Sequence, residues 1–407
     1  MASIKPGLSK KTTGLRDAQP LRSVHVNNLG PISHAHIEFG DLTLFVGPQG
    51  SGKSILLQLV KLLADKGHIR RTLENYGFVW GPDLKGILET YFGEGMSGIW
   101  SSKTSITFNG SSISSSDIIP SKGRKGSTMG AVESLFYVPA QRVVCLENGW
   151  PRFFTSYDYS VPFVLRDFSE SIRQLLEGGL AKKKDAIFPA SQRLKDPLRK
   201  AFAQHIFHNG NIEVDRSTSR KQFKMKVEGN SIPFMAWSAG QKEFMPLLLS
   251  FYYLCPPSAT SMKDSVKTVI LEEPEMGLHP SAIESVILQV IELLARGYQV
   301  IVSTHSPVFL EYAWAFQLLK NWKQPDKKLL ELFNLGVNAA TQQLVKGSMD
   351  KSVKTYYFDL DKGQSVVRDI SELDPGDAEI AISEWGGLSS FASRVAEIVA
   401  KTASQNA

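Results

Sequence analysis

The octet Gly47-Pro48-Gln49-Gly50-Ser51-Gly52-Lys53-Ser54 spells G-x-x-x-x-G-K-S, a spacing suited to phosphate chemistry. Its glycines let the backbone turn tightly with N–H groups facing an anion. The start of a following helix adds partial positive charge at the same point. Lys53 would reach the β- and γ-phosphates of a nucleotide such as ATP, and Ser54 would hold Mg2+. The flanks fit: Leu42–Val46 reads as a buried strand and Ile55–Leu63 as a helix. A chance glycine-rich turn would not need that setting.

Three further stretches carry chemistry. Val269-Ile270-Leu271 is an apolar strand that ends in Glu272-Glu273. One acid there can enter a Mg2+ shell while the next polarises a water for attack on a γ-phosphate. Ser238-Ala239-Gly240-Gln241 opens a helix, with Ser238 as its cap. The same geometry makes an anion site. Val300-Ile301-Val302 leads into Ser303-Thr304-His305. His305 is placed to sense a γ-phosphate, although a single histidine at a strand end also reads as structural.

The elements that must position these residues follow from periodicity. Val24, Val26, Ile32, His34 and Ile37 alternate around an Asn27–Pro31 turn, so residues 21–46 predict a hairpin ahead of the loop. Ser101–Phe108 predicts a strand, Asn109–Gly130 a mobile Ser/Gly-rich loop, and Leu135–Val138 a short strand. Residues 164–206 predict mainly helix, and Asn211–Val214 with Phe223–Val227 a strand pair. From residue 238 the order is helix (Glu243–Leu254), strand (Thr268–Leu271), helix (Pro280–Ala295) and strand (Gln299–Val302). That alternation argues a parallel sheet covered by helices. Lys354–Phe358 and Ser365–Ile370 predict a second strand pair, and Gly387–Lys401 a final helix.

Composition narrows the class. The chain has 407 residues, 42% hydrophobic and 21% charged, which is ordinary for a globular protein. No apolar run approaches the roughly 18 residues of a membrane span. Residues 1–20 lack the apolar core of a signal peptide and read as a flexible basic tail. Cys145 and Cys255 show no metal-ligand spacing and read as buried thiols in a reducing cytoplasm. The net charge is +6, yet residues 181–226 alone hold twelve Lys or Arg against four acids. Such a segment suits DNA or RNA, an acidic face of a protein, or nothing beyond a solvated surface.

Taken in order, the motifs resemble those of the ABC-type ATPase superfamily. They are most similar to the branch holding SMC-type, RecF-type and OLD (overcoming lysogenization defect) ATPases. The resemblance covers residues 21–63 and 237–310 well. It implies an α/β P-loop NTPase fold: a mixed sheet flanked by helices, with an inserted, largely helical lid. It makes Gly47–Ser54 the Walker A loop, Trp237–Gln241 the signature and Ile270–Glu273 the Walker B strand. Gly277-Leu278-His279-Pro280 becomes the D-loop and His305 the switch histidine. Glu272-Glu273-Pro274-Glu275 followed by Leu278-His279-Pro280 is particularly like the OLD-type branch, with Glu272 where most relatives have Asp. Gln141, in Pro139-Ala140-Gln141-Arg142, is identified with the Q-loop glutamine that joins Ser54 and Glu272 around Mg2+ and water. An ordinary strand-end loop is the other reading of that segment. Glu273, His305 and Gln141 are thus the expected catalytic set. Residues 47–54 and 238–241 are the expected ATP contacts.

The expected organisation is a tail (1–20), a first core part (21–65), an inserted lid region with the Q-loop (66–236), a second core part (237–330) and a terminal strand pair with helix (331–407). Two departures from the family matter. Asp359-Leu360-Asp361 echoes a Toprim nuclease motif. Only about 100 residues follow His305, too few for that domain as well, so Asp359–Gly363 is read as a hairpin turn. No heptad run marks a coiled-coil arm. The expectation is a cytoplasmic, stand-alone ATPase, without a membrane partner, that pairs with itself around ATP. It would signal to or load a separate effector, a nuclease or toxin, in bacterial anti-phage defence or DNA repair. The rival classes are the ATPase subunit of a membrane transporter and a nucleic-acid-binding regulator that uses ATP as a structural ligand.

Overall fold

A computed structural model describes residues 20–119, 132–181, 186–190, 193–217, 219–256 and 265–405. Residues 1–19 of the expected tail, 120–130 of the expected loop, and Lys182, Lys183 and Lys184 lie outside them.

The chain opens with the antiparallel hairpin β1 (Ser23–Leu29) and β2 (Ile32–Glu38). Strand β3 (Leu42–Val46) then feeds the phosphate loop and helix α1 (Lys53–Asn75). Helix α2 (Leu84–Phe92) and strands β4 (Trp100–Phe108) and β5 (Ser111–Ile113) follow. A turn of helix, α3 (Ser115–Ile118), comes next, so the described part of the expected Ser/Gly loop is ordered as strand and helix. Beyond β6 (Leu135–Val138) come the small ribbon β7 (Leu146–Glu147) and β8 (Trp150–Pro151), then α4 (Phe163–Leu175).

Residues 164–206 are less helical than their spacing predicts. Strand β9 (Ala186–Phe188) separates α4 from α5 (Asp196–His205). It pairs with β10 (Asn211–Asp215), which pairs with β11 (Gln222–Val227) and through it with β12 (Asn230–Pro233). The inserted span, expected as a largely helical lid, therefore carries a four-stranded sheet beside its helices. The antiparallel pairing of Asn211–Asp215 with Gln222–Val227 is as expected. What the sequence hid is the three-residue β9, too short to show a period.

The second half holds α6 (Ala239–Leu254), β13 (Thr268–Glu272), α7 (Pro280–Ala295) and β14 (Gln299–Ser303). Helices α8 (Pro307–Lys320), α9 (Pro325–Leu332) and α10 (Ala339–Val345) lead to β15 (Val353–Asp361) and β16 (Gln364–Asp369). The short α11 (Ile380–Ser383) and α12 (Ser390–Gln405) close the described chain.

One ten-stranded sheet runs β5-β4-β1-β2-β16-β15-β3-β14-β13-β6. Its β15-β3-β14-β13-β6 section is parallel throughout. Strands β3, β13, β14 and β6 are buried at every residue, as strands covered on both faces must be. Successive side chains serve opposite layers. Leu44, Val46, Val269, Leu271 and Val302 pack with α6 and α7, whereas Phe45, Ile270, Ile301 and Tyr137 pack with α1. The registers Phe45↔Ser303, Glu272↔Ser303 and Leu271↔Val138 bring the carboxyl ends of four strands into line. The segments beyond those ends are the ones the motifs occupy.

Candidate nucleotide site

The phosphate loop is held by close packing at both ends. Gly47 has φ 143°, and a Cβ there would lie 2.7 Å from the Phe358 carbonyl of β15. Gly52 caps α1 with φ 94°, and a Cβ there would meet Ile32 at 2.7 Å. Neither position admits a side chain, so the loop is wedged between β15 and the β1–β2 turn. The Lys53 ammonium donates to the carbonyls of Gly47 (2.7 Å) and Pro48 (2.8 Å) and to the Ser51 hydroxyl (3.4 Å). Lys53 is buried, and burial draws its pKa down to about 8 against the pull of Glu273, Glu272 and Glu275. Pro48, Gln49, Gly50 and Ser54 are exposed, while Ser51 is buried and donates to the Pro48 carbonyl at 2.8 Å.

Glu272 ends β13 as a buried carboxylate. Its Oε2 accepts from the Ala140 N–H at 3.3 Å, and its Oε1 is buried with no hydrogen-bond partner. Burial pushes its carboxyl pKa up, and the neighbouring hydroxyl of Ser54 opposes that shift. Glu273 follows with φ 42°, an uncommon backbone for a non-glycine residue. Its N–H donates to the Ser303 carbonyl at 2.8 Å, which ties the turn to β14. Its carboxylate lies 3.5 Å from His305 Nε2, and that contact holds it below the usual carboxyl range. The motif around Glu275 assigns that residue no role of its own. Glu275 is half-buried, and its Oε1 accepts from Thr304 Oγ1 and from the His305 N–H, both at 2.7 Å. It thereby fixes the backbone that presents His305.

Arg142 likewise has no role assigned by its motif, yet its side chain is wholly buried. Nη1 donates to the carbonyls of Glu272 (3.1 Å) and Glu273 (3.2 Å), Nη2 to Pro274 (3.4 Å), and Nε to Glu243 (3.0 Å). One guanidinium thus knits the loop after β6 to the turn after β13 and to α6. Gln141 beside it is exposed and caps a short helical turn. Its neighbour Ala140 is the residue that touches Glu272. The signal available for Arg142 was an arginine one residue past a strand-end glutamine, which carries no burial information.

Ser238, Ala239, Gly240 and Gln241 start α6. Ser238 Oγ accepts from the Gln241 N–H at 3.3 Å, and Gln241 Oε1 accepts from the Ser238 N–H at 3.1 Å, a reciprocal capping box. Gln241 also donates to the Ile206 carbonyl at 3.1 Å. Gly240 packs against the Gly277 carbonyl so closely that a Cβ has no room. Among the described residues, no side-chain hydrogen bond of Ser238–Gln241 reaches the phosphate loop. Ser238 and Ala239 are exposed.

The residues present fit a hard cation beside a phosphate. Ser54 and Glu272 offer oxygen ligands only, and the partnerless Glu272 Oε1 is the atom such an ion would satisfy.

The basic segment is largely self-neutralised where it is described. Lys195 pairs with Glu292 at 2.6 Å, Lys200 with Asp196 at 2.8 Å, Lys224 with Asp215 at 3.6 Å and Lys226 with Glu213 at 2.9 Å. Arg199 also pairs with Asp196. No helix among the described residues is long and apolar enough to cross a membrane.

Comparison with known proteins places these features. Residues 152–311 match the family described as "AAA domain, putative AbiEii toxin, Type IV TA system". The chain is 29% identical to the Old nuclease of Escherichia phage P2 over 142 residues, 35% of this chain and 23% of that protein. It is 27% identical to an ATP/GTP phosphatase of Helicobacter pylori over 128 residues, 30% of this chain and 31% of that one. The matches thus span under a third of either relative's length. Among solved structures, the SMC head bound to the C-winged helix domain of ScpA overlays with a TM-score of 0.41 at 12% identity, covering 86% of this chain and 97% of that one. That overlay is too loose to add to what the strands themselves show.

Proposed function

We propose that this chain, an ATPase of the ABC type in the SMC- and OLD-like branch, hydrolyses ATP and works as a nucleotide-gated homodimer. The observation that carries the reading is the alignment of four parallel strand ends. They gather Lys53, Glu272, Glu273 and His305 around the phosphate loop. Among the described residues, the side chains of the Ser238–Gln241 cap bond only within their own helix start and to Ile206, and Ser238 and Ala239 are exposed.

In this reading the loop N–H groups and Lys53 bind the phosphates, and Lys53 exchanges its carbonyl contacts for phosphate oxygens. Ser54 and Glu272, with Gln141 nearby, would hold Mg2+, which when bound neutralises charge on the β- and γ-phosphates. Glu273 accepts the proton of the attacking water. Its low pKa and its His305 contact keep it ionised for that task. Arg142 and Glu275 act through these groups as positioning residues.

Ser238 and Gly240 of one protomer would face the γ-phosphate held by Lys53 of a second, so closure reports the presence of ATP and hydrolysis releases it. Packing of Gly240 on Gly277 links that face to the turn after Glu273. The proposed output is a signal to a separate nuclease or toxin, in a cytoplasmic anti-phage or repair setting. The likeness to the phage Old nuclease supports the choice of setting. DNA or RNA is the weaker partner, because most described cations of 181–226 already have acidic neighbours.

Sedimentation of Glu273→Gln with and without Mg-ATP tests the reading. The expected result is a nucleotide-dependent gain in mass that Ser238→Arg removes without loss of ATP binding. Unchanged mass together with wild-type turnover by Ser238→Arg would overturn it. Fluorescence anisotropy with duplex DNA, single-stranded DNA and RNA at low salt decides the nucleic-acid question separately.

A further inference from the structure

Away from the phosphate loop, three segments of the chain bring ionisable groups together beside α1. Lys61, Asp65 and His68 recur at helical spacing on one side of that helix. Asp65 departs from helical geometry, with φ −121° and ψ 21°. Its carboxylate accepts from the N–H groups of Ser134 (2.9 Å) and Leu135 (3.1 Å) and from Lys61 Nζ (2.8 Å). Lys61 is fully buried and donates onward to Glu133 at 3.2 Å and to the Leu135 carbonyl. Asp167 enters from α4. His68, Glu133 and Asp167 each direct one ligand atom into the same space, all within 4.8 Å of one another.

Among the described residues, this space is rich in carboxylates. Lys61 bridges two carboxylates, Asp65 at 2.8 Å and Glu133 at 3.2 Å. Glu133 and Asp167 flank the His68 imidazole. Glu133 is buried, and its other oxygen faces the Tyr253 hydroxyl at 3.5 Å. Loss of water around Asp167, and then the charge of Glu133, push the Asp167 carboxyl up.

We propose that His68, Glu133 and Asp167 bind a divalent transition-metal cation, Zn2+ or Mn2+, at a site distinct from the nucleotide's metal. One imidazole nitrogen with two carboxylate oxygens is a three-ligand set that favours such ions over Mg2+ or Ca2+. His68 and Asp167 are partly exposed, which leaves an entry path and room for water ligands. The site is remote from Lys53: His68 lies fifteen residues along α1, about 22 Å at 1.5 Å per residue. The ion would brace α1, the segment entering β6 and α4 against one another. It thereby couples the helix that starts at the phosphate loop to the strand that leads towards Gln141.

The test uses the full chain, stripped with chelator and free of nucleotide, in a Glu272→Gln background that weakens the nucleotide site's own metal binding. Calorimetry with Zn2+ and with Mn2+ should give one site of micromolar or tighter affinity and a rise in melting temperature. His68→Ala and Asp167→Asn should each weaken binding by roughly tenfold or more. A reading that needs no variant comes from diethylpyrocarbonate: Zn2+ should protect His68 from modification, read by peptide mass mapping. No binding by the unsubstituted cluster, or undiminished binding with His68 still modified, overturns the proposal.

Discussion

The Arg142 guanidinium donates to the carbonyl oxygen of Glu273 at 3.2 Å, at the one member of the acid pair whose φ is positive. A left-handed backbone at a non-glycine residue costs about 1 kcal/mol or more and persists only where its surroundings hold it. Arg142, the Ser303 carbonyl and His305 supply that hold. Arg142→Ala should therefore destabilise the fold by about 3 kcal/mol, because several buried carbonyls lose a charged donor. It should lower kcat far more than it raises the KM for ATP. Arg142→Lys should recover little, since a single ammonium cannot replace the planar fork. Chemical denaturation and steady-state turnover check both statements.

Glu273→Gln should retain ATP binding and lose turnover by roughly 100-fold or more, the usual worth of a positioned general base. Wild-type hydrolysis by this variant would remove Glu273 from the proposed role. Single-turnover chemistry with radiolabelled ATP separates the step from product release.

Lys53 predicts a pH dependence. Burial has lowered its pKa to about 8, so the free chain begins to lose this charge just above neutrality. Bound phosphates favour the ammonium, so ATP binding should take up a proton between pH 8 and its ordinary 10.5, and affinity should fall as pH rises there. Without nucleotide, the unfolded chain holds that proton longer, so this group makes the fold more stable as pH rises across the same window. Calorimetry in buffers of different ionisation enthalpy reads the uptake, which Lys53→Ala should abolish together with most of the affinity.

Gly240→Ala and Ser238→Arg should part company. A Cβ at Gly240 displaces the Gly277 carbonyl within the same chain, so this variant should lose about 1–3 kcal/mol of stability through overpacking. Ser238→Arg adds bulk at an exposed helix start and costs only the cap, about 1 kcal/mol. Its larger effect should fall on ATP-dependent assembly. Thermal melts beside sedimentation distinguish the two.

Much of this protein was legible from local pattern. The G-x-x-x-x-G-K-S octet, the acids closing Val269–Leu271 and the cap at Ser238 each depend on neighbours within a few residues. Helix α7 falls on the expected Pro280–Ala295, because a proline at the first helical position marks its start. The strands β13 and β14 run one residue past expectation, to Glu272 and Ser303. Main-chain pairing continues into polar residues of the proposed site.

Tertiary structure decided what distant residues do to one another. The terminal strand pair was visible as alternation, but nothing local places β15 beside β3, with Tyr356 opposite Phe45 across more than 300 residues. That insertion sets the Phe358 carbonyl against Gly47 and so shapes the phosphate loop. The burial of Arg142, the clasp of Glu275 on His305 and the meeting of His68, Glu133 and Asp167 have the same origin. Sequence spacing specifies helices, strands and turns through short-range sterics and hydrogen bonds. Which charges are stripped of water, and which of them face each other, is settled only when the sheet closes over its two cores.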